Sequence, residues 1–201
     1  AGLDWMACFV AVHAVGATAV MINTRCTAEE MAHAIGITGP TLIFANADRA
    51  AALRTEPASD DWRLIVSGGR DALRDRQDFD LADILSGTTV EPFDPVERDP
   101  DDGAIIMFTS GTTGRPKAVR LDDRAIAHMV GISGMAGAMQ DRRFGLEFGR
   151  EVPPERSSAS CATIIVGPVF HTSGITPFLR GLYFGATLFI FSKWNADVAL
   201  D

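Results

Sequence analysis

The stretch from Ala104 to Lys117 constrains this chain most. A short uncharged run, A-I-I-M-F, is followed at once by T-S-G-T-T-G-R-P-K. An apolar run of that length bounded by turn residues predicts a buried strand. A glycine- and hydroxyl-rich loop leaving such a strand suits an anion. Glycines let backbone amides turn inward, hydroxyls donate further hydrogen bonds, and a lysine adds a mobile positive charge. The spacing is not that of the common P-loop, which needs G-x-x-x-x-G-K-S/T. Five positions after Gly111 stands Pro116, and Ala118 follows the lysine. No G-x-G-x-x-G dinucleotide fingerprint occurs either.

The rest of the chain alternates apolar runs with helical patterns. Trp5 to Val15 reads as a helix stopped by Gly16, and Ala17 to Ile22 as a strand. Thr27 and Glu30 form a capping box for a helix to about Ile35, with Gly36 as its stop. Strands are expected at Thr41 to Ala45 and Trp62 to Ser67. A short helix lies between them at Ala47 to Arg54, and a helical turn around Leu81 to Leu85. This β-α-β-α order predicts an α/β fold with a mostly parallel sheet layered with helices. Ala118 to Leu121 is a further strand, and Asp122 caps a helix through Ala138. Gly131, Gly134 and Gly137 recur every third residue there, a spacing that permits close helix packing. Gln140 to Ser160, charged and proline-bearing, reads as a loop or small insertion. Strands at Cys161 to Val166 and Ala186 to Phe191 flank a helix from Ile175 to Tyr183.

Bulk properties narrow the function classes. The formal charge is −8 over 201 residues, with 47% hydrophobic and 22% charged residues, which suits a globular chain and disfavours nucleic acid as a partner. Positive potential must be made locally, and Arg115, Lys117 and Arg120 are the cluster able to make it. Cys8, Cys26 and Cys161 show no metal or redox spacing and suit reduced, mostly buried thiols of a cytoplasmic protein. Trp5 to Ile22 is uncharged for 18 residues, but His13, Gly16 and Thr18 and the lack of basic flanks argue against a membrane span. No signal peptide is visible, and a start at Ala-Gly-Leu reads as internal to a longer protein. Glu91 to Asp102, with three prolines and six acidic residues, reads as a solvated connector. A calcium loop at Asp99 to Gly103 fails, because the glycine falls one position early and position twelve is Ser110.

Thr109 to Lys117 resembles the phosphate signature S/T-S-G-S/T-T-G-x-P-K of the adenylate-forming (AMP-binding) enzymes. These comprise acyl-CoA synthetases, luciferases and peptide-synthetase adenylation domains. Ala118 stands where glycine is usual. Two further blocks follow family order. Gly16 to Arg25 is similar to G-A-x-x-x-P-x-N-x-R, with Met21 at the proline position. Pro168-Val-Phe-His-Thr-Ser-Gly174 is similar to P-L-F-H-x-x-G. The resemblance implies that residues 1–201 form part of the large N-terminal domain, without the C-terminal lid. Residues 1–90 are then a βα segment, 91–103 an acidic connector, and 104–201 the phosphate loop and acyl-pocket segment. It implies ATP, Mg2+ and coenzyme A as cofactor and co-substrates. Thr109, Ser110, Gly111, Thr112, Thr113, Gly114 and Lys117 would hold the phosphates. Phe170, His171 and Gly174 would line the acyl pocket, with Lys117 and His171 acting in the reaction. His171 would orient the carboxylate, whereas His13, His33 and His128 read as satisfied core side chains.

Amino-acid-activating members of the family present F-D-x-S where this chain has F-H-T-S, so a fatty or other non-amino acid is the expected substrate. The family's Y-G-x-T-E and T-G-D motifs do not occur, and no metal ligands are assigned within the 201 residues. The chain alone is therefore expected to lack ligase turnover, and its uncovered sheet edges to favour self-association. The reading from another class is a non-catalytic nucleotide-binding or interaction module that retains the loop.

Overall fold

The computed structural model describes residues 2–55, 62–69, 78–87, 91, 93–109, 115–149 and 162–191. Six helices and eight strands lie among them, divided between two compact units. One comprises Leu3–Arg98 with Gly103–Arg120; the other comprises Ala1–Gly2, Asp99–Asp102 and Leu121–Asp201.

In the first unit, helix α1 (Leu3–Ala14) carries aromatic rings at i, i+4 spacing. Trp5 stacks on Phe9 at 5.3 Å between ring centroids, and Phe9 meets His13 at 4.4 Å. Gly16, at φ 76°, turns the chain out of the helix. Strand β1 (Ala19–Met21) follows and pairs in parallel with the later β5 (Gly103–Thr109), Val20 opposite Ile106. Helix α2 (Ala28–Thr38) has the expected capping box. The Thr27 hydroxyl accepts from the Glu30 amide, and the Glu30 carboxylate accepts from the Thr27 amide at 2.8 Å. It does not stop at Gly36. The left-handed residue is Gly39, at φ 55°, whose N–H bonds the Ile35 carbonyl, and Pro40 then bars continuation.

Strands β2 (Leu42–Asn46), β3 (Arg63–Ser67) and β4 (Phe79–Asp80) form a parallel sheet in that order. Helix α3 (Ala47–Leu53) connects the first pair, capped by Asn46, and α4 (Leu81–Gly87) follows β4. Ala45, Leu64 and Val66 pack with Met31, Ile35, Ala50, Leu53 and Trp62 into the unit's core. Strand β4 escapes sequence reasoning because two residues are too few to show a period. Buried Asp78 and Asp80 hold it in place: Asp78 accepts from the Leu64 amide at 3.1 Å, and Asp80 from the Ala82 amide at 2.8 Å.

Strand β6 (Lys117–Asp122) lies beside β5 in the order β1-β5-β6. Gly103, which opens β5, faces Arg120 near the end of β6, as in two strands running in opposite directions. A Cβ at Gly103 would lie 2.6 Å from the Arg120 Nε. The Gly103 carbonyl also accepts from Arg98 Nη2 at 2.7 Å and from the Thr18 hydroxyl at 2.5 Å, pinning the entry of β5.

In the second unit, Asp122 caps α5 (Asp123–Phe148) as expected, accepting from the Ala125 amide at 2.7 Å. The helix runs well past Ala138. Gln140 to Phe148 is helical rather than loop, because it contains no proline and the left-handed Gly149 ends it, its N–H bonding the Gly145 carbonyl. The remainder of the expected loop, 150–160, lies outside the described residues. Strands β7 (Ala162–Ile165) and β8 (Thr187–Ile190) pair in parallel around the amphipathic α6 (Thr172–Tyr183). Two of the three spaced glycines on α5 lie against the end of α6. A Cβ at Gly134 would lie 2.8 Å from the Phe184 ring and one at Gly137 2.7 Å from Arg180, while Gly131 faces open space. Asp99 to Asp102 is a self-bonded turn. Asp101 N–H donates to Asp99 at 2.9 Å, and Arg124 holds Asp101 through Nε and Nη2 at 3.0 and 2.8 Å.

Candidate functional site

The segment expected to hold phosphates connects two neighbouring strands, β5 and β6. Strand β5 is buried from Gly103 to Ile105 and again at Met107, and becomes exposed at Thr109. The strand is central in its sheet: β1 lies on one side and β6 on the other. Lys117, the first residue of β6, is exposed, and no carboxylate pairs with it among the described residues. Arg115 approaches Glu29 at 4.0 Å, with both side chains largely in solvent, so that contact contributes little. Ser110, Gly111, Thr112, Thr113 and Gly114 lie outside the described residues. Thr109 and Lys117 therefore mark the two ends of the loop, both in the first unit.

Phe170, His171 and Gly174 come together in the second unit, in the turn between β7 and α6. The turn closes through His171 N–H to the Pro168 carbonyl at 3.0 Å. The His171 carbonyl then accepts from Gly174 and Ile175 at 3.0 Å each, opening the helix. His171 is itself the N-cap of α6: its Nδ1 accepts from the Ser173 amide at 3.3 Å. The helix consequently begins at Thr172, ahead of the Ile175 read from apolar spacing. Histidine is not a favoured N-cap, so the sequence carries little signal of this arrangement.

Gly174 is buried, and backbone fills the space a side chain would need. A Cβ there would lie 2.4 Å from the Gly167 oxygen and from the Pro168 carbonyl carbon and oxygen. Gly167 is equally constrained, 2.6 Å from the Ser173 hydroxyl and 2.7 Å from its carbonyl carbon on the same measure. These glycines let the turn lie directly on the first coil of α6, with His171 exposed and Phe170 partly buried. Neither Gly167 nor Ser173 was apparent from sequence as part of the site. Pro177 inside α6 supplies no amide to the Ser173 carbonyl, a gap in the helix ladder on the side where Gly167 approaches.

The other histidines divide. His13 places Nδ1 2.9 Å from the Phe9 carbonyl oxygen and is partly buried, as is His33, while His128 is exposed rather than part of the core. Cys8 and Cys26 are free and partly buried. Burial and the nearby Asp4 raise the Cys8 thiol, and burial and Glu30 raise that of Cys26, so neither is poised as a nucleophile. Among the described residues no helix is long and apolar enough to cross a membrane. No group of three His, Cys, Asp or Glu converges there into a set that could hold a metal ion.

Comparison with known proteins identifies the family and the fold. A family model described as AMP-binding enzyme matches residues 1–200. A 7a-methyl-1,5-dioxo-octahydro-1H-inden-4-yl-propanoyl:CoA ligase of Rhodococcus jostii (strain RHA1) is 35% identical over 197 residues, covering 92% of this chain and 35% of that protein. The 4-coumarate–CoA ligase-like 5 of Oryza sativa subsp. japonica is 27% identical over 198 residues, covering 94% of this chain and 32% of that protein. The chain thus spans about a third of the length of the curated relatives it matches. Among solved structures, the luciferase-like enzyme of the mealworm Zophobas morio superposes with a TM-score of 0.74 at 19% identity, covering 100% of this chain and 42% of that one. ATP-bound MatB from Rhodopseudomonas palustris superposes with a TM-score of 0.70 at 23% identity, covering 100% and 35%. The α/β fold with its parallel strand pairs, the turn carrying His171 and the family match over residues 1–200 lead to one conclusion: this chain belongs to the AMP-binding enzyme family.

Proposed function

We propose that the intact protein is an acid–thiol ligase: it activates a carboxylic acid with ATP to an acyl-adenylate and passes the acyl group to coenzyme A. The observation that carries this reading is the β7–α6 turn, where Phe170, His171 and Gly174 stand together and the segment Pro168–Gly174 contains no carboxylate. An amino-acid substrate needs an anionic partner for its ammonium, and this wall of the pocket offers none. A fatty or other non-amino acid fits it better.

Each residue has a physical task in this scheme. Ser110, Thr112 and Thr113 donate to phosphate oxygens through amides and hydroxyls, with Thr109 at the loop's entry. Gly111 and Gly114 allow backbone to approach the polyanion. Lys117 compensates charge on the β- and γ-phosphates as pyrophosphate leaves, the step in which electrostatic stabilisation matters most. His171 orients the carboxylate, Phe170 covers it, and Gly174 lets their turn sit on α6. The family's reaction also calls for Mg2+, but the described residues do not assemble a ligand set for it, and no step is assigned through the metal. The family's Y-G-x-T-E and T-G-D motifs do not occur within the 201 residues, so this chain alone is expected to show no ligase turnover. The reduced, partly buried thiols accord with a cytoplasmic enzyme.

The test is pyrophosphate release by the intact protein over a panel of short, medium and long aliphatic acids, aryl acids and amino acids. Release with aliphatic or aryl acids and not with amino acids is expected. Release with amino acids alone would overturn the substrate class. The absence of release with every acid, alongside measurable ATP binding, would favour a nucleotide-binding module instead.

A further inference from the structure

We infer that His171 is held as its Nε2–H tautomer by the first turn of α6, so that it offers the site a hydrogen-bond donor and not a base. The Ser173 backbone N–H points at Nδ1 from 3.3 Å. A backbone N–H can only donate, so Nδ1 must present its lone pair, and in a neutral imidazole the proton then resides on Nε2. The Ser173 hydroxyl at 3.2 Å and the Thr172 hydroxyl at 3.4 Å crowd the same nitrogen, and both can rotate to donate to it. Nε2 has no hydrogen-bond partner among the described residues, and the side chain is exposed.

This deepens the proposed function and rests on it for the identity of the acceptor. A fixed Nε2–H can hold a carboxylate or acyl-adenylate oxygen in one orientation. It cannot take a proton from substrate or thiol at Nε2, because that position is already filled. Ser173 is therefore a positioning residue, acting through His171 by its amide. His13 supplies an internal contrast. Its Nδ1 lies 2.9 Å from the Phe9 carbonyl, which can only accept, so His13 carries its proton on Nδ1.

The experiment is a long-range 1H–15N spectrum of the intact protein labelled with 15N-histidine, the His171 signals being those lost in His171→Asn. The expected result is a lone-pair-type Nδ1 and an N–H-type Nε2 for His171, with the reverse for His13. An N–H-type Nδ1 at His171, or averaging between the two tautomers, would overturn the inference. Two variants then separate cap from donor. His171→Asn keeps an acceptor at the Nδ1 position; it should retain the wild-type Tm and lose at least tenfold in pyrophosphate release. His171→Gln reaches the Nε2 position with an amide N–H but loses the cap; it should melt lower and stay several-fold more active than the Asn variant. Equal activity of the two would refute the donor role. If no acid supports pyrophosphate release in the wild type, the function proposed above fails, while the spectrum and the two melting temperatures still decide the tautomer and the cap.

Discussion

Gly174 and Pro168 touch backbone to backbone: a Cβ on Gly174 would sit 2.4 Å from the Pro168 carbonyl carbon and oxygen. No side chain stands between them to move aside. The turn bearing Phe170 and His171 is thus seated on α6 by the absence of a methyl group.

Gly174→Ala should therefore cost about 3 kcal/mol, the upper end of the range for overpacking. Gly181→Ala is the control in the same helix. Its Cβ would meet the Leu188 side chain, Cδ2 at 2.2 Å, a flexible end that can swing away. The gain in helix propensity offsets part of that movement, leaving a change within about 1 kcal/mol. Urea unfolding of both variants measures the difference, and equal losses would show that the turn can lift from the helix.

On α5 the three evenly spaced glycines should behave differently. Gly131 faces open space, so Gly131→Ala should stabilise by about 1 kcal/mol, the propensity difference in a helix interior. Gly134→Ala must push aside the Phe184 ring, 2.8 Å from the added carbon, and should forfeit that gain. Thermal melts of the two variants should rank Gly131→Ala above wild type and Gly134→Ala below Gly131→Ala.

Both described cysteines should be slow nucleophiles. Burial, reinforced by Asp4 at Cys8 and Glu30 at Cys26, raises each thiol above its ordinary value of 9.0. The thiolate fraction at neutral pH is correspondingly smaller than in a free thiol. The same sign applies to stability: the folded state holds its thiol protons more tightly than the unfolded chain, so this contribution falls as pH rises past the unfolded thiol's pKa. Iodoacetamide labelling resolved by peptide mass spectrometry should find Cys8 and Cys26 modified more slowly at pH 7 than after unfolding in urea. Equal rates would contradict the burial argument.

The sequence was legible where local chemistry decides the outcome. The Thr27–Glu30 box and the Asp122 cap are short-range hydrogen bonds between neighbours, and both stand as read. Gly36 misled because glycine marks a helix end only when the backbone turns left-handed, and that happens at Gly39, in front of Pro40. The extension of α5 to Phe148 was hidden by its charges, which on an exposed helix face are compatible with either state. At the site, the motif residues could be picked out singly, but not the way Ser173 and Gly167 support His171. That support is made of an amide direction and a backbone contact, and neither leaves a mark on side-chain identity.

The Thr109–Lys117 loop is proposed to grip a triphosphate from which pyrophosphate departs. The direct measurement is ATP–pyrophosphate exchange by the intact protein and its Lys117→Ala variant, using the acid that gives the fastest release. Removing a charge that acts on the leaving group should lower exchange by about 10²-fold or more, with an unchanged Tm because Lys117 is exposed. Wild-type exchange in the Lys117→Ala variant would contradict the account.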